Sequence, residues 1–454
     1  MLVYVPQRRT AAAARTWLLL IFLLPWPGLI LYALFGRIRI PKERIEQQML
    51  ASQRIVQEQV HQMAHLACVP ELPAYLAHLP GLAARLGDFG AFAGNAVELL
   101  TDYEEAISRL VADIDLASHH VHLQTYLLAP GAIGERVTSA LSRAARRGVA
   151  CRLMADAVGS RAGLAHWGES LKRDGVEVIA MLQVGFFRHR AARFDLRNHR
   201  KLAVIDSHLG YAGSQNLCDP DAVAGHLNEE LVARITGPVV AQIQAVLLAD
   251  CFMELGAPLV FAPLFPELPA TGHSAAQLRP SGPGYQRENA AELFMAMLYA
   301  ARERVVITTP YFVPDEPFLT ALRSAARRGV EVLLIVSLHA NQPFTQLAQR
   351  SFYDDLLTAG VQIHLYRRRF LHAKHFSVDD SIAVLGSSNI DIRSFALNAE
   401  VSLLIYDRAI VAELRTVQDR YLAESDPLDL ATWRQRPFTH RVAQNVARLA
   451  DSLL

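Results

Sequence analysis

Two segments of the sequence carry the same six residue types at the same spacing. In each, a histidine is followed by Lys at +2, Asp at +7, Gly at +14, Ser at +15 and Asn at +17, while the residues between them differ. The first set is His199, Lys201, Asp206, Gly213, Ser214 and Asn216, and the second is His372, Lys374, Asp379, Gly386, Ser387 and Asn389. Ammonium, hydroxyl and amide groups can hold the oxygens of a phosphodiester, while one imidazole attacks phosphorus and the other transfers protons. The pattern therefore predicts phosphoryl transfer.

A metal centre is the main alternative for these histidines and aspartates. It is disfavoured because a protonated lysine lies two residues from each histidine and would repel a cation. The aspartates also have the opposite strand parity to the histidines. We therefore expect a site with no metal and no other cofactor. A solvated strand face is a second alternative, which the duplication of all six identities disfavours.

The spacing predicts that each segment folds as an antiparallel hairpin with a two-residue turn. The turns are expected at Ser207-His208 and at Asp380-Ser381. In that register the histidine of each copy faces the asparagine and the lysine faces the serine, so that all four side chains share one patch. Asp206 and Asp379 lie at the turns, and the parity gives them a structural role.

The two motifs belong to a longer repeat. ALSRAARRGV at 140–149 matches ALRSAARRGV at 321–330, and LAHWGESLKRDGVEVIAML from Leu164 parallels LAQRSFYDDLLTAGVQIHLY from Leu347. Each pair predicts a helix, a glycine stop and a buried strand. Alternation of this kind is typical of an α/β fold with a sheet covered by helices. We place the first repeat at 95–262, a Pro- and Gly-rich linker at 263–285, and the second repeat at 286–425.

The N-terminal region contains one long apolar run. Residues 17–35 include no charged side chain over 19 positions, close to the roughly 20 residues that a helix needs to cross hydrocarbon. We predict a tail at 1–15, a transmembrane helix at 16–36 and a juxtamembrane helical segment at 37–94. A signal peptide is the alternative, but the run is long for one and no small-residue cleavage site follows it. Flanking arginines favour a cytoplasmic catalytic body.

The overall charge excludes a strong polyanion field. The 45 basic and 44 acidic residues leave a net charge of +1, which argues against nucleic acid as a partner. The four cysteines form no framework and fit a reducing compartment. Only four of the basic residues are lysines, and two of these are Lys201 and Lys374. A lysine is thus an unusual choice in this chain.

Two further segments have open interpretations. In the predicted helical tail at 426–454, one helical face is apolar and carries Val442, Val446, Leu449 and Leu453. This face is expected either to pack on the body or to contact lipid. The run Arg367–Arg369 is either a contact for anionic headgroups or a solvated loop.

The duplicated motifs resemble the paired HxKxxxxD signature of the phospholipase D superfamily, and both copies are complete to the trailing GSxN. Within it, the chain is most similar to the bacterial cardiolipin synthases. That resemblance rests on TTPYFVPDE at 308–316, on FLHAKHFSVDDSIAVLGSSNIDIRSFALNAEV at 370–401, on SGP at 281–283, on the N-terminal anchor ending LFGR and on WRQRP near Trp433. It extends over nearly the whole chain.

The resemblance implies two pseudo-twofold related α/β sandwich units that share one active site, with a phosphohistidine intermediate. It implies that each histidine is oriented by an acidic residue just beyond its own motif: Glu400 in NAEV, and Glu230 in NEELV with Glu229 as the alternative. The remaining roles carried over are catalytic for His199, Lys201, Asp206, His372, Lys374 and Asp379, and phosphate-binding or supporting for Ser214, Asn216, Ser387 and Asn389. Family members commonly have two N-terminal membrane segments, whereas this chain has one.

The implied activity is transfer of a phosphatidyl group between two phosphatidylglycerol molecules at the bacterial inner membrane, with release of glycerol. Either histidine is a candidate nucleophile. A hydrolytic phospholipase D, a transferase that uses phosphatidylethanolamine or another alcohol, a nuclease and an inactive membrane scaffold are the alternatives. The sequence leaves the oligomeric state open.

Overall fold

The N-terminal run folds as two short helices rather than one long one. The computed structural model describes residues 1–6, 11–33, 50, 66–184, 196–222, 225–256, 264–266, 268–282, 285 and 288–449. Helices α1 (Ala11–Leu23) and α2 (Pro25–Leu31) pack against each other. The break lies at Leu24, because a proline disfavours helical geometry in the residue before it. No helix in the described ranges is both long and apolar enough to cross a membrane.

The first copy of the repeat follows helix α3 (Leu79–Gly87). Its elements are β1 (Phe92–Leu100), α4 (Tyr103–Leu116), β2 (His120–Thr125), α5 (Ala132–Arg146), β3 (Ala150–Asp156), α6 (Arg161–Arg173), β4 (Glu177–Met181), β5 (Leu202–Ile205), β6 (Leu209–Gly213), β7 (Asn228–Glu229), β8 (Val232–Thr236) and α7 (Val240–Leu255).

The second copy repeats this order with additions. Its elements are β9 (Ser274–Ser281), α8 (Asn289–Ala300), β10 (Arg304–Thr308), β11 (Phe312–Val313), α9 (Glu316–Arg327), β12 (Glu331–Ser337), α10 (Pro343–Ser351), α11 (Tyr353–Ala359), β13 (Gln362–Tyr366), β14 (Phe370–Leu371), β15 (His375–Val378), β16 (Ile382–Gly386), β17 (Ile390–Asp391), α12 (Ile392–Ala396), β18 (Glu400–Tyr406) and α13 (Arg408–Ala423). Strand β19 (Ser425–Pro427) and helices α14 (Leu430–Arg434) and α15 (Phe438–Leu449) follow.

Both copies contribute to one 15-stranded sheet with pseudo-twofold order. Strands β1 and β9 pair antiparallel at its centre. From there the first copy runs β1-β8-β6-β5-β2-β3-β4, and the second runs β9-β18-β16-β15-β10-β12-β13 and ends at β19. Two small parallel pairs, β7 with β14 and β11 with β17, stand apart from it. The mixed α/β class and the tandem repeat are confirmed.

Helices cover both faces of the sheet. One face packs on α7 and α13 in a core that the two copies share, with Val204 and Ile235 from the first and Ile335 and Leu403 from the second. The other face packs on α4 and α5 in the first copy and on α8 and α9 in the second. Sheets buried on both faces need strands that are apolar throughout, which explains the continuous apolar runs after each glycine stop.

The predicted helix–glycine–strand units are present at the expected positions. Helix α5 ends at Arg146 and Gly148 has a φ of 93°, while α9 ends at Arg327 and Gly329 has a φ of 90°. A residue with positive φ just after a helix is usually glycine, because glycine has no Cβ to clash with the backbone. The repeat is therefore visible both in the sequence and in the backbone.

The hairpin register differs by one residue from the prediction. Ile205 pairs with Leu209, and the second hairpin likewise leaves residues 379–381 unpaired, so both loops have three residues. Asp206 and Asp379 adopt positive φ values of 51° and 48°. Three-residue hairpin loops use such a left-handed residue, and aspartate tolerates it when its carboxylate is satisfied locally. The expected facing of histidine with asparagine and of lysine with serine is wrong.

The predicted boundaries also shift. Strand β9 lies inside the range 263–285, which we predicted to be a linker. The sequence is misleading here because a proline such as Pro280 is unusual in a central strand. Strand β1 begins at Phe92, inside the predicted juxtamembrane segment 37–94, and β19 (Ser425–Pro427) crosses the predicted boundary between the second repeat and the tail. In the segment 37–94, residues 37–49 and 51–65 lie outside the described residues.

Candidate active site

The two motifs meet where the parallel strands of both copies end. His199 precedes β5 and His372 precedes β15, each at the edge where the parallel strands of its copy have their carboxyl ends. Each motif also bonds to the other copy: the His199 N–H donates to Ala399 O (2.8 Å) and the His372 N–H donates to Glu229 O (2.9 Å). The pairing of β14 with β7 continues this contact. One site is thus built from both copies.

Each histidine contacts a buried glutamate of the other copy. His372 Nδ1 donates to Glu230 Oε1 at 2.7 Å, and His199 Nδ1 lies 3.2 Å from Glu400 Oε1. The expectation that each glutamate orients the histidine of its own motif is wrong. The reason is topological: the short parallel pairings place the chain just before each histidine beside the residues that precede the glutamate of the other copy.

Glu229 has different partners from Glu230. Its carboxylate accepts from Arg369 (3.3 Å) and from Arg420 (3.0 Å). The two other arginines of the run 367–369 are also paired, Arg367 with Asp426 and Arg368 with Glu424. These arginines therefore have protein partners.

The motif serines support the glutamates. Ser214 Oγ donates to Glu230 Oε2 at 2.5 Å. The Ser387 hydroxyl lies against Glu400 and helps to hold the pKa of that carboxyl below its usual value. The active site thus has two half-sites. In each, a serine contacts a glutamate of its own copy, and that glutamate contacts the histidine of the other copy.

The motif lysines are buried beside the histidines. Lys201 Nζ donates to His199 O and Lys374 Nζ donates to His372 O, both at 2.6 Å. Lys201 is 6% exposed and Lys374 is 2% exposed. A buried ammonium with one neutral acceptor has further donors to offer, which suits an anionic ligand.

The motif asparagines have spare hydrogen-bonding capacity. Asn216 and Asn389 are 5% and 3% exposed, and Oδ1 of each finds no partner in the part of the chain that the structure describes. Buried polar atoms are nearly always bonded, so an unfilled one needs a ligand or a water. Oδ1 suits a donor such as a substrate hydroxyl or a water, whereas only Nδ2 of these amides can donate to a phosphate oxygen.

Burial sets the protonation of the histidines. It lowers the pKa of His199 to about 4, and Lys201 adds to this effect while Glu400 opposes it. Burial also lowers the pKa of His372, which Glu230 opposes. Both imidazoles are therefore neutral at pH 7 in the free protein. With Nδ1 of His372 bonded to Glu230 and Nδ1 of His199 lying 3.2 Å from Glu400, Nε2 of each carries the lone pair that a nucleophile or base needs.

Burial raises the pKa of Glu230, but the electrostatic interaction and the hydrogen bond with the imidazole of His372 hold it below the usual value for a glutamate. The same balance keeps the pKa of Glu400 low through His199. Both glutamates are ionised, and each stabilises an imidazolium when its histidine takes up a proton.

The charges of the two half-sites act on each other. Lys374 contributes to the lowered pKa of His199, and Lys201 contributes to that of His372. Burial lowers the pKa of Lys374 itself to about 7, with a smaller contribution from Lys201. A site that crowds two ammonium groups and two imidazoles favours a bound anion.

The motif aspartates lie at the hairpin tips, away from the histidines. The Asp206 carboxylate accepts from the backbone N–H groups of Ser118, His119 and His120. The Asp379 carboxylate accepts from those of Arg302, Glu303 and Arg304 and from the Tyr75 hydroxyl. The structure brings neither aspartate into contact with an imidazole.

Sequence reasoning missed a buried charge network behind His199. Arg200 Nη1 bonds to Asp250 Oδ1 at 2.5 Å, and its Nε donates to Glu400 O at 3.0 Å. Asp250 also accepts from Asn198 at 3.0 Å. The second copy has Ala373 in the position of Arg200, so the signal available in the sequence was a charged residue between the His and Lys of one motif only.

An aromatic ring next to His199 was also missed. The ring of Tyr126 lies 4.2 Å from that of His199 and 5.4 Å from Lys201 Nζ. Tyr126 follows β2 directly, and only the position of that strand end could have indicated it.

As for metals, no group of three or more His, Cys, Asp or Glu in the described ranges could hold an ion.

Comparison with known proteins identifies the family. The family model described as cardiolipin synthase, phospholipase D-like domain matches residues 110–250 and 294–422. The chain belongs to this family. A second model, phospholipase D-nuclease N-terminal, matches residues 1–37. Proteins named cardiolipin synthase A from Yersinia pseudotuberculosis serotype O:1b (strain IP 31758) and from Yersinia pestis are 35% identical, over 99% of this chain and 94% of each relative.

Solved structures agree on the fold. The crystal structure titled phosphatidylserine synthase from Haemophilus influenzae Rd KW20 has a TM-score of 0.64 at 15% identity and covers 82% of this chain and 99% of that one. A polyphosphate kinase from Porphyromonas gingivalis has a TM-score of 0.51 at 15% identity and covers 86% of this chain and 57% of that one. At these identities the likeness concerns the fold alone.

The motif lysines should not tolerate arginine. In Lys201→Arg and Lys374→Arg, we expect kcat/KM to fall by about 10- to 100-fold, because a planar guanidinium is larger than an ammonium and cannot keep its contact in a buried site. The matched control is Lys172→Arg, since Lys172 lies on the surface with Glu169 as its partner. Full activity in either motif variant would contradict a role for that ammonium.

Anion affinity should fall as the pH rises through 7. The pKa of Lys374 is lowered to about 7, so its charge is present below that pH and is lost above it. For dimethyl phosphate, whose own charge is constant, we expect the inhibition constant to rise by about tenfold between pH 6 and pH 8. In Lys374→Arg this dependence should disappear. A flat profile in the unmodified protein would contradict the buried position of Lys374.

Proposed function

We propose that this phosphatidyltransferase converts two phosphatidylglycerol molecules into cardiolipin and glycerol through a phosphohistidine. The observation that carries the proposal is the pair of crossed histidine–glutamate contacts beside two buried lysines. This arrangement provides two imidazoles with opposite tasks and a cationic pocket for one phosphodiester. The 35% identity to proteins named cardiolipin synthase A supports cardiolipin as the product.

In the first half-reaction, His199 Nε2 attacks the phosphorus of one phosphatidylglycerol. The bond from phosphorus to the headgroup glycerol oxygen breaks, and protonated His372 gives its Nε2 proton to that oxygen. Glycerol leaves and a phosphatidyl group remains on His199. Lys201, Lys374, Asn216 and Asn389 are the groups that we assign to the phosphate oxygens.

In the second half-reaction, His372 acts as a base. Its neutral Nε2 takes the proton of the terminal glycerol hydroxyl of a second phosphatidylglycerol, and that oxygen attacks phosphorus. The phosphorus–nitrogen bond breaks, which releases cardiolipin and restores neutral His199 and protonated His372. Bound phosphate favours this protonation because its negative charge stabilises the imidazolium.

Two observations support His199 as the nucleophile. Its pKa of about 4 keeps the lone pair free, and the Arg200–Asp250 network fixes the backbone next to it. His372 has the shorter glutamate contact, 2.7 Å against 3.2 Å, which favours the imidazolium that a general acid needs.

We further propose that residues 11–33 attach the enzyme to the bacterial inner membrane, with the two repeats in the cytoplasm. Several of their apolar side chains are exposed: Leu19, Phe22, Leu23, Trp26 and Ile30. Exposed apolar surface of this size with no charge after Arg15 suits the bilayer interior. The proposed phospholipid substrates lie in the same bilayer.

Product analysis tests the proposed function. Purified full-length protein is incubated with radiolabelled phosphatidylglycerol in vesicles, and the products are separated and quantified. The proposal predicts cardiolipin and glycerol in equal amounts. Phosphatidic acid as the sole product would overturn it in favour of hydrolysis, and a product formed only after phosphatidylethanolamine is added would overturn it in favour of another acceptor.

A further inference from the structure

The C-terminal helix α15 turns its apolar stripe outward. The side chains of Phe438, Val442, Val446 and Leu449 are 76%, 43%, 57% and 80% exposed. Their spacing places them on one face of the helix. Leu453, which continues the stripe in the sequence, lies outside the described residues. The sequence leaves open whether this face packs on the body, and among the described residues it is largely uncovered.

The opposite face of α15 attaches it to the body. Gln444 and Ala447 are 3% and 1% exposed, and the helix packs along α10. Gln444 accepts from Arg436 Nε at 3.0 Å, and Arg448 lies over the ring of Phe352 at 4.7 Å. The helix is thus held in place by its polar face, which fixes the direction of the apolar one.

The segment that carries the stripe is basic. Residues 430–449 contain four arginines and no aspartate or glutamate. Two of these, Arg434 and Arg448, pair with acidic side chains of the body. Arg441 and His440 lie on α15 itself, and both are exposed. A helix with a bulky apolar face and basic flanks matches those that lie in the interface of a bilayer with anionic lipids.

Helix α15 lies beside the edge that carries the active site. Tyr311 and Phe312 follow the carboxyl end of β10, and they bond to Asn341 (2.6 Å) and Gln349 (2.9 Å) at the two ends of α10. Arg448 of α15 is 4.0 Å from Glu316, which begins α9 at the same edge. The carboxyl end of α15 therefore lies at the edge of the sheet that carries the motifs.

The edge of the sheet that carries the site has further exposed apolar side chains. Val158 follows β3, Val184 follows β4, Leu227 precedes β7 and Phe344 begins α10, and each is between 44% and 48% exposed. All four positions belong to the edge where the motifs meet. This edge thus exposes apolar side chains from both copies.

We propose that α15 is a second membrane contact, which lies in the interface of a bilayer that contains anionic phospholipid and holds the rim of the active site against it. The charge of 430–449 favours an anionic bilayer over a second copy of this chain, because a copy would place the same arginines against each other. The role of this contact in catalysis rests on the proposed function. The contact would bring lipid substrates to the histidines while the lipids remain in the bilayer.

A pair of matched labels tests the contact. In full-length protein with Cys68→Ser, Leu449→Cys or Leu116→Cys is labelled with an environment-sensitive nitrobenzoxadiazole dye. Leu116 is 79% exposed, as Leu449 is 80%, and it lies at the end of α4, at the opposite edge of the sheet. In vesicles with phosphatidylglycerol we expect a blue shift and quenching by spin-labelled lipid at position 449 only. Equal emission at both positions would overturn the proposal.

Activity assays separate this proposal from the proposed function. For Val442→Ser/Val446→Ser/Leu449→Ser, we expect turnover of phosphatidylglycerol vesicles to fall by about tenfold, while turnover of short-chain phosphatidylglycerol below its micelle concentration stays unchanged. Leu116→Ser should match the unmodified protein in both assays. Unchanged turnover of vesicles by the triple variant would overturn the membrane contact alone. Failure of the unmodified protein on both substrates would overturn the proposed function.

The same label distinguishes lipid from a second copy of the chain. If the emission at position 449 shifts with protein concentration in the absence of vesicles, and the triple variant loses a dimer seen by sedimentation, the stripe is a protein interface and the proposal is wrong. We expect no such concentration dependence.

Discussion

Replacement of His199 or His372 by alanine is expected to lower the rate of cardiolipin formation by at least about 10⁴-fold. The reason is that each imidazole performs a step that water or a neighbouring group cannot perform in the buried site. The measurement is kcat on phosphatidylglycerol vesicles. The control is His208→Ala, because His208 lies exposed at the tip of the first hairpin. Activity above about 1% of normal in either variant would contradict the assignment.

A substrate with a better leaving group separates the two roles. Phosphatidyl p-nitrophenol needs no proton on its leaving oxygen, so His372→Ala should still release one equivalent of p-nitrophenol in a burst and then stop. His199→Ala should show no burst. The reverse pattern would make His372 the nucleophile, and the absence of a burst in both variants would contradict a covalent intermediate.

The crossed glutamates give the second large effect. We expect Glu230→Gln to impair His372 and Glu400→Gln to impair His199, each with a loss of about 10²- to 10⁴-fold in kcat, because an amide cannot stabilise the imidazolium or fix its tautomer. With phosphatidyl p-nitrophenol, Glu230→Gln should keep the fast burst while Glu400→Gln should slow it. The control is Glu229→Gln, since Glu229 contacts Arg369 and Arg420 instead.

Double-mutant cycles test the crossing itself. In the free energy of unfolding, Glu230→Gln and His372→Ala should be coupled, whereas Glu230→Gln and His199→Ala should be additive, because coupling is expected only between groups in contact. If Glu230 instead couples with His199, the contacts between the copies are not those of the working enzyme.

Local signals in the sequence were sufficient to predict the repeat. Glycines such as Gly148 and Gly329 end helices through a backbone geometry that few other residues tolerate, and the apolar runs behind them match the doubly covered sheet. The spacing of the motif residues also predicted two hairpins, and both fold to the same edge of the sheet.

Contacts between distant parts of the chain could not be predicted in this way. The crossing of Glu230 and Glu400 depends on the pairing of β7 with β14 and on the bridge from Asn198 to Ala399, which join residues of different copies. The hairpin register depended on one extra residue in each loop. Asp206 and Asp379 join the loops because their carboxylates accept from backbone N–H groups next to neighbouring strands. A slip of one residue moves every side chain to the other face.

Helix α15 shows the same limit. Its periodicity identified the apolar stripe, but amphipathicity alone does not decide which face meets the body. The contacts of Gln444 and Ala447 with the body decide it, and they leave the stripe outward.

The stereochemical course at phosphorus tests the central claim most directly. Phosphatidylglycerol made chiral at phosphorus with oxygen isotopes is converted to cardiolipin, and the configuration of the transferred phosphate is determined by ³¹P NMR. Attack by histidine followed by attack by the acceptor inverts the centre twice, so the account predicts overall retention. Overall inversion would mean a single direct displacement and would contradict the phosphohistidine.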